Sequence, residues 1–244
     1  GLSINSSTGE IDLANSTIQS YKIFYETSGA GCPNSSTFDL AVTAAGIANN
    51  YSMNFDSASS DYIDAGNDVS LQFSSSFSIS AWVKIDLNET GNNAIISKDS
   101  SVTNGAGYHI SFRDGNQVHA WSYDSNSKLI ATGLSTNIWY HIVFVFESTG
   151  GSNGNQSLYI NAGTPVTNTI TNFATSTIKN LRIGGSEVLS GYNTNGKIDE
   201  VAIWNTALTS TQVSEIYNAT STNLTKDLTT VSGSNLKYWN RMGD

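Results

Sequence analysis

Residues 138–146 read IWYHIVFVF, and this run decides the fold class. Almost every side chain in it is apolar, so a strand built from it is covered on both faces. Outward from this run, short β-rich stretches with period-two alternation recur between turns rich in Gly, Asn, Asp and Ser. We therefore predict an all-β protein, a sandwich or a barrel, with this strand in the middle of the core.

The amino-acid composition and the net charge disfavour some classes of binding partner. Charged residues make up only 13% of the 244 residues, and 11 Lys plus Arg against 20 Asp plus Glu leave a net charge of -9. Nucleic acid and anionic membranes are poor partners, because both require a basic surface. No apolar run approaches the about 18 residues of a membrane span, so we predict no membrane insertion. A divalent cation or an uncharged glycan fits this charge balance better.

The pattern predicts many strands and one helix. Thr209 and Gln212 have the spacing of a capping box, so the helix is expected to run to about Asn218 with Val213 against the sandwich. The strands of the main series are predicted near residues 51–55, 61–65, 77–86, 94–98, 107–113, 117–123, 138–147, 156–161, 178–184 and 196–204.

Three segments follow from these elements. Residues 1–44 hold about three strands, too few to close a two-sheet core, whereas residues 47–220 hold the main series. Residues 221–244 are predicted to be a polar linker with a last aromatic segment. Because the chain starts in what reads as strand and turn, we expect it to be a piece of a longer polypeptide.

The first segment therefore needs something to complete it. Upstream sequence, the main domain or a strand donated by another copy of the chain are the three alternatives. The single cysteine, Cys32, cannot form a disulfide within the chain, and a partner outside the chain stays open.

The main segment resembles the laminin G-like members of the concanavalin A-like lectin/glucanase superfamily. This resemblance implies a jelly roll of two antiparallel sheets. The stretches that carry it, in chain order, are MNFD (53–56), DYID (61–64), FSISAWVK (77–84), IISK (95–98), WYHIV (139–143), LYINAG (158–163), IGG (183–185), GKIDEVAIW (196–204) and ALT (207–209).

The two ends carry weaker resemblances. GLSINSSTGEI (1–11) looks like part of the C-terminal half of a bacterial immunoglobulin-like repeat. YWNRMGD (238–244) is similar to the ends of such domains in structural proteins of marine phages and in bacterial surface proteins. These resemblances imply an extracellular, cell-surface or virion location.

A glycosidase in this superfamily carries three carboxylates as E-x-D-x-x-E on one strand face. The nearest approach here is Glu10 and Asp12, which Leu13, Ala14 and Asn15 follow, so the third carboxylate is missing. The three histidines, His109, His119 and His141, lie on separate predicted strands and are expected to pack beside aromatic rings. We therefore predict that the protein is not an enzyme.

Carboxylates suggest a calcium site instead. Asp56 lies in an acid-rich stretch that continues to Asp68, and calcium prefers several carboxylate and carbonyl oxygens. The family resemblance implies a structural calcium held by Asp199, with help from the region of Asp56. The alternative is that these aspartates shape turns and strand ends.

Aromatic residues suggest a ligand surface, because rings stack on the C–H faces of sugars. We predict ligand contacts by Tyr108, Trp121, Tyr123 and Tyr192, although core packing is the commoner role of a strand aromatic. The leading hypothesis is a non-catalytic adhesion or assembly module that binds a glycan or a surface protein. A calcium-dependent carbohydrate-binding lectin domain is the alternative, and a glycoside hydrolase is the least favoured.

Overall fold

The computed structural model describes residues 2–5, 7–12, 19–26, 35–42, 46–86, 91–100, 106–114, 116–122, 127–173, 178–219 and 224–243. The chain forms two compact units, Gly1–Gly46 and Ile47–Asp244. No helix in the described part of the chain has both the length and the apolar character to cross a membrane.

The described residues of the first unit include an antiparallel strand pair, in which Ile23 lies opposite Phe38. Ile4 and Ile11 form an isolated bridge around a turn. Phe38 is 65% exposed and Ile4 is 50% exposed, so apolar surface is left open in this unit. Its likeness to half of an immunoglobulin-like repeat stays a prediction. Cys32 lies outside the described residues. The two strands are β1 (Gln19–Glu26) and β2 (Ser35–Val42).

The second unit contains the remaining elements, all of them strands apart from α1 and a few 3-10 turns. They are β3 (Ile47–Ala48), β4 (Met53–Phe55), β5 (Ile63–Asp64), β6 (Phe77–Ile85), β7 (Asn93–Asp99), β8 (Gly107–Arg113), β9 (Gln117–Ser122), β10 (Leu129–Ala131), β11 (Tyr140–Gly150), β12 (Asn153–Ile160), β13 (Val166–Ile170), β14 (Arg182–Ile183), β15 (Gly196–Trp204), α1 (Ser210–Ala219), β16 (Leu224–Thr225) and β17 (Leu236–Asn240).

These strands form two main sheets. One sheet has six strands in the order β10-β9-β8-β7-β14-β5, and the other has the order β13-β12-β11-β6-β15-β17, with β4 also paired to β15. Alternate residues of both sheets point into a shared core. Ile96, Ile110 and Ile183 enter it from the first sheet, and Ile79 and Phe144 enter it from the second. The predicted all-β sandwich of antiparallel sheets is confirmed.

The central strand of the larger sheet is the run that decided the fold. β11 pairs with both β6 and β12, and residues 141–146 are all buried. One face of β11 meets the sandwich core, whereas Val143 and Val145 on the other face pack against α1. α1 therefore covers the outer face of this sheet around Val143 and Val145.

The helix forms as the capping box predicts. Thr209 N–H donates to Gln212 Oε1 at 2.9 Å, and Gln212 N–H donates back to Thr209 Oγ1 at 3.2 Å. Val213 and Ile216 are buried against Trp204 of β15. This geometry closes the N-terminus of α1 and fixes its apolar face on the sheet.

The C-terminal segment differs from the predicted linker. β16 pairs with β3, and β17 adds an edge strand to β15. Leu228 and Val231 are buried beneath α1, and the Val231 carbonyl accepts a hydrogen bond from Trp204 Nε1 at 2.8 Å. The described part of this segment thus belongs to the second unit, because a few apolar anchors among Ser and Thr are sufficient to bury it.

Candidate functional site

The outer face of the six-stranded sheet carries a row of polar and aromatic side chains. Strand register places Asp64, Arg182, Ser97, His109 and Trp121 next to one another across β5, β14, β7, β8 and β9. Their sequence neighbours point into the core, so the alternation of each strand sends these five to the opposite face. No helix of the described chain packs on this row, in contrast to the other sheet.

An aromatic cluster forms at one end of the row. The His109 ring stacks on the Trp121 ring with centroids 4.2 Å apart, and Tyr192 meets His109 edge-on at 6.0 Å. The Arg113 guanidinium lies 5.4 Å from the centre of Trp121 and 4.9 Å from that of Tyr192. The cluster therefore combines aromatic stacking with cation–π contacts.

His109 is fully buried, yet neither of its ring nitrogens has a hydrogen-bond partner within the described chain. Asp99 Oδ2 lies 3.5 Å from His109 Nδ1, beyond a good hydrogen bond, while Asp99 Oδ1 accepts from Ser97 Oγ at 2.6 Å. A buried polar group without a partner costs about 1–3 kcal/mol, so this cluster holds unused hydrogen-bonding capacity.

His119 lies beside this cluster on β9. Its Nε2 is 3.0 Å from Gln117 Oε1. Burial first, and then the positive charges of Arg113 and Lys128, lower the pKa of His119 to about 4. The imidazole is therefore neutral at pH 7, and positive charge on this face comes from arginine and lysine.

The other end of the row is more open. The Arg182 guanidinium lies 4.2 Å from the centre of the Tyr62 ring, and Tyr62 is 45% exposed. Gly185 packs closely here, because a Cβ there would lie 3.1 Å from Tyr62 Cβ and 3.4 Å from Asn193 Oδ1. Asn193 Nδ2 in turn donates to Ser60 Oγ at 3.3 Å. The exposed Tyr62 ring thus has a cation over its face and polar side chains in its surroundings.

The carboxylates nearest to Arg182 are already bound to other groups. Asp64 accepts from Asn180 Nδ2 at 2.9 and 3.0 Å, and Glu187 accepts from Lys179 Nζ at 2.9 Å. The hydrogen bond from Asn180 lowers the pKa of Asp64, and the one from Lys179 lowers the pKa of Glu187. Both carboxyl groups are ionised at neutral pH and neither forms an ion pair with Arg182.

Three of the four predicted ligand residues lie in the described part of the structure, and their environments differ. Tyr108 is 0% exposed in the sandwich core, where it packs against Phe73 and Phe77, so its assignment to a ligand surface is wrong. Trp121 lies on the outer face of the six-stranded sheet but is only 2% exposed, and its ring contacts His109 and Arg113. Tyr192 is half-buried on the same face. Tyr123 lies outside the described residues.

The two predicted metal ligands do not meet. Asp56 follows β4, while the register of β4 with β15 places Asp199 beyond the opposite end of β4, a separation of about 13 Å for four residues. Asp56 accepts from Ala58 N–H, and Asp199 accepts from Asn49 Nδ2 at 3.0 Å. Within the described residues, no three His, Cys, Asp or Glu side chains converge. One ion cannot join both positions, and calcium binding stays a prediction.

Next to Asp199, Glu200 has a structural contact network. It adopts a left-handed φ of 50° at an irregularity in β15 and is 2% exposed. Trp239 Nε1 donates to it at 2.6 Å, and Arg241 forms an ion pair with it at 3.4 Å. Burial outweighs these bonds and raises the pKa of Glu200 to about 7. These contacts tie β17 to β15.

Sequence reasoning missed Tyr62 and Arg182. Both lie inside motifs that were assigned to the fold alone, DYID and the region before IGG. The alternation of side chains along a strand could have indicated both residues. Ile63 and Ile183 point inward, so their sequence neighbours Tyr62 and Arg182 must point outward. Their contact depends on the pairing of β5 with β14, two-residue strands that are far apart in the sequence.

Comparison with known proteins places the second unit in a family. Residues 56–214, more than half of the chain, match the family model Laminin_G_3, described as concanavalin A-like lectin/glucanases superfamily. A comparison with curated protein sequences found no match.

Three solved structures share the fold. A putative carbohydrate binding protein from Bacteroides ovatus ATCC 8483 has a TM-score of 0.60 and 18% identity, over 92% of this chain and 61% of that chain. The binding domain of Paraclostridial Mosquitocidal Protein 1 has a TM-score of 0.54 and 16% identity, over 89% of this chain and 51% of that chain. The binding domain of botulinum neurotoxin serotype G has a TM-score of 0.52 and 19% identity, over 82% of this chain and 45% of that chain.

The chain thus spans 45% to 61% of these three structures. The sequence motifs, the two-sheet topology and the family match agree. The chain belongs to the Laminin_G_3 family of the concanavalin A-like lectin/glucanases superfamily.

Proposed function

We propose that this protein is a non-catalytic carbohydrate-binding module, and that a glycan binds to the outer face of the six-stranded sheet around Tyr62. The observation that carries the proposal is the Tyr62 ring, 45% exposed and held 4.2 Å from the Arg182 guanidinium. A sugar-binding site combines an exposed aromatic ring with polar groups, because the C–H face of the sugar stacks on the ring and the sugar hydroxyls form hydrogen bonds with the polar groups.

The surroundings of Tyr62 support this assignment. Ser60 and Asp64, close to Tyr62 in the sequence, are hydrogen-bonded by the side-chain amides of Asn193 and Asn180, so hydroxyl, carboxylate and amide groups accompany this segment. These groups hold one another in place before a ligand arrives, which reduces the entropy lost on binding. The likeness in fold to a putative carbohydrate binding protein agrees with the proposal.

The carboxylates of this face argue against glycoside hydrolysis. Asp64 and Asp99 are two strand spacings apart across the sheet and two residues apart along it, a separation of about 12 Å. A catalytic pair stands about 5–10 Å apart. Asp64 is moreover hydrogen-bonded by Asn180, and Asp99 by Ser97.

We include in the proposal a role in adhesion at a cell or virion surface.

Glycan arrays followed by calorimetric titration test the proposal. We expect Tyr62→Ala to weaken binding of the best array ligand about tenfold or more, corresponding to about 1.4 kcal/mol. Tyr51→Ala is the matched control, because Tyr51 is 64% exposed and lies beside β4 of the other sheet. Loss of affinity in Tyr51→Ala with full affinity in Tyr62→Ala would overturn the proposed site. An array without any bound glycan would overturn the function.

A further inference from the structure

We propose that the glycan carries a carboxylate and that Arg182 binds this carboxylate beside Tyr62. This inference rests on the proposed function and names the chemical class of its ligand: an acidic sugar, such as a uronic or sialic acid, rather than a neutral one. It is carried by the position, the unused donors and the surroundings of Arg182.

Arginine is rare in this chain, which contains Arg113, Arg182 and Arg241 only. Arg241 is paired with Glu200. The other two lie on the outer face of the six-stranded sheet, each against a tyrosine ring, and neither has an ion-pair partner in the described chain. In a protein of net charge -9, two arginines without a carboxylate partner on one face are available for an external anion.

Arg182 is the better placed of the two. Arg113 uses its Nε to donate to Ser111 Oγ at 3.0 Å, and its guanidinium packs within the aromatic cluster. In contrast, the only hydrogen bond of the Arg182 guanidinium within the described chain is a long one, from Nη1 to the Ser186 carbonyl at 3.5 Å. Its Nε is buried, so the edge formed by Nη1 and Nη2 is the part of the planar fork that remains for an external carboxylate.

The neighbouring acids do not block this role. Besides their hydrogen bonds, the charge of Arg182 contributes to the lowered pKa of both Asp64 and Glu187, so both carboxylates act on it at a distance. Those hydrogen bonds, however, are made with Asn180 and Lys179, and neither carboxylate is ion-paired with Arg182. Lys179 also contributes a positive charge near Glu187 that offsets its negative charge. The Arg182 guanidinium lies over the Tyr62 ring, 4.2 Å from its centre, so a sugar bound at Tyr62 has this positive charge as its neighbour.

The test compares acidic glycans with the same glycans after chemical reduction of their carboxyl groups to alcohols. The probes are oligogalacturonate, oligoalginate and sialyllactose. We expect the full chain to bind at least one acidic form about tenfold or more tightly than its reduced form, and to lose that preference in high salt. Arg182→Gln should lower affinity for the acidic form to that for the reduced form.

Two further variants make the result specific. Lys197→Gln removes a positive charge from the exposed face of the other sheet, and we expect it to keep the preference for the acidic form. Arg182→Lys keeps the charge but loses the fork, so it should retain part of the preference. Urea denaturation of each variant establishes that it is folded before affinities are compared.

The outcomes separate the two proposals. Equal binding of acidic and reduced forms, with loss of both in Tyr62→Ala, would overturn the acidic-sugar inference and leave the proposed function standing. A preference that Arg182→Gln does not change would overturn the role of Arg182. Absence of binding to every acidic and neutral glycan would overturn the function together with the inference.

Discussion

Each sheet of the sandwich carries a histidine stacked on a tryptophan on its outer face. On the seven-stranded sheet His141 lies 5.1 Å from Trp82, and Tyr217 of α1 stacks on both rings. On the six-stranded sheet His109 lies 4.2 Å from Trp121, with Tyr192 edge-on beside it. The two faces thus use similar residues for different purposes.

The difference lies in what covers them. α1 covers the first face, and His141 Nε2 lies 2.8 Å from Ser80 Oγ. Buried polar atoms without a hydrogen-bond partner in the described chain occur on both faces: Trp82 Nε1 and His141 Nδ1 on the first, and both ring nitrogens of His109 on the second. A face covered by a helix indicates packing, whereas a face that leaves the Tyr62 ring exposed beside Arg182 indicates binding.

The largest expected effect concerns the covered face. Trp204→Ala removes a fully buried side chain and its hydrogen bond to Val231, so it should lower the free energy of unfolding by about 3–5 kcal/mol. Ile130→Ala on the opposite sheet, where Ile130 is 37% exposed, should cost less than about 1.5 kcal/mol. Urea denaturation measures both. Similar losses in the two variants would contradict the contrast between the faces.

The next effect is a pH dependence of the covered face. Burial lowers the pKa of His141 to about 3, below its unfolded value of 6.5. Its contribution to stability is therefore fully present above pH 6.5 and is lost as pH falls toward 3, by up to about 5 kcal/mol. The difference in unfolding free energy between the wild type and His141→Gln should shrink over that range. A difference that does not change with pH would refute the buried, neutral histidine.

The ionisation of Glu200 changes stability with pH in the opposite direction to that of His141. Its pKa is raised to about 7 from 4.5, so its contribution to stability is present below pH 4.5 and is lost as pH rises through 7. The change is on the order of 3 kcal/mol at most. Glu200→Gln should remove this loss while keeping an acceptor for Trp239 Nε1. Parallel pH–stability curves for the wild type and Glu200→Gln would show that Glu200 is not the group responsible.

The smallest stability effect is expected at the binding face. Tyr62 is 45% exposed, so Tyr62→Ala should change the free energy of unfolding by less than about 1 kcal/mol even though it weakens glycan binding. Thermal unfolding measured beside the titrations checks this point. A large loss of stability in Tyr62→Ala would assign the ring to packing, as on the covered face.

The core could be predicted from the sequence because its signal is local. The apolar run of β11 and the capping box of α1 each lie within one short window, and both elements form as expected. The assignment of Tyr108 failed although its signal was also local. Tyr108, Ile110 and Phe112 alternate as one apolar set that fills the core, which leaves His109 on the outer face.

The site itself depends on contacts that no window contains. Tyr62 and Arg182 meet only because the short strands β5 and β14 pair. The packing of the C-terminal segment could not be predicted for the same reason. Leu228 and Val231 are two apolar residues among Ser and Thr, and only the folded structure shows that they pack in one cluster with Trp204. Pairing between distant, short elements is not encoded in hydrophobic periodicity.

Amide hydrogen exchange with and without a bound glycan tests the central claim most directly. The glycan is the best ligand found on the array, at a concentration that saturates the protein. We predict increased protection of residues 60–64 and 180–193, which surround Tyr62 and Arg182, and unchanged exchange in residues 210–219 of α1. Protection confined to α1 and β17, with no change around Tyr62, would contradict a binding site on the outer face of the six-stranded sheet.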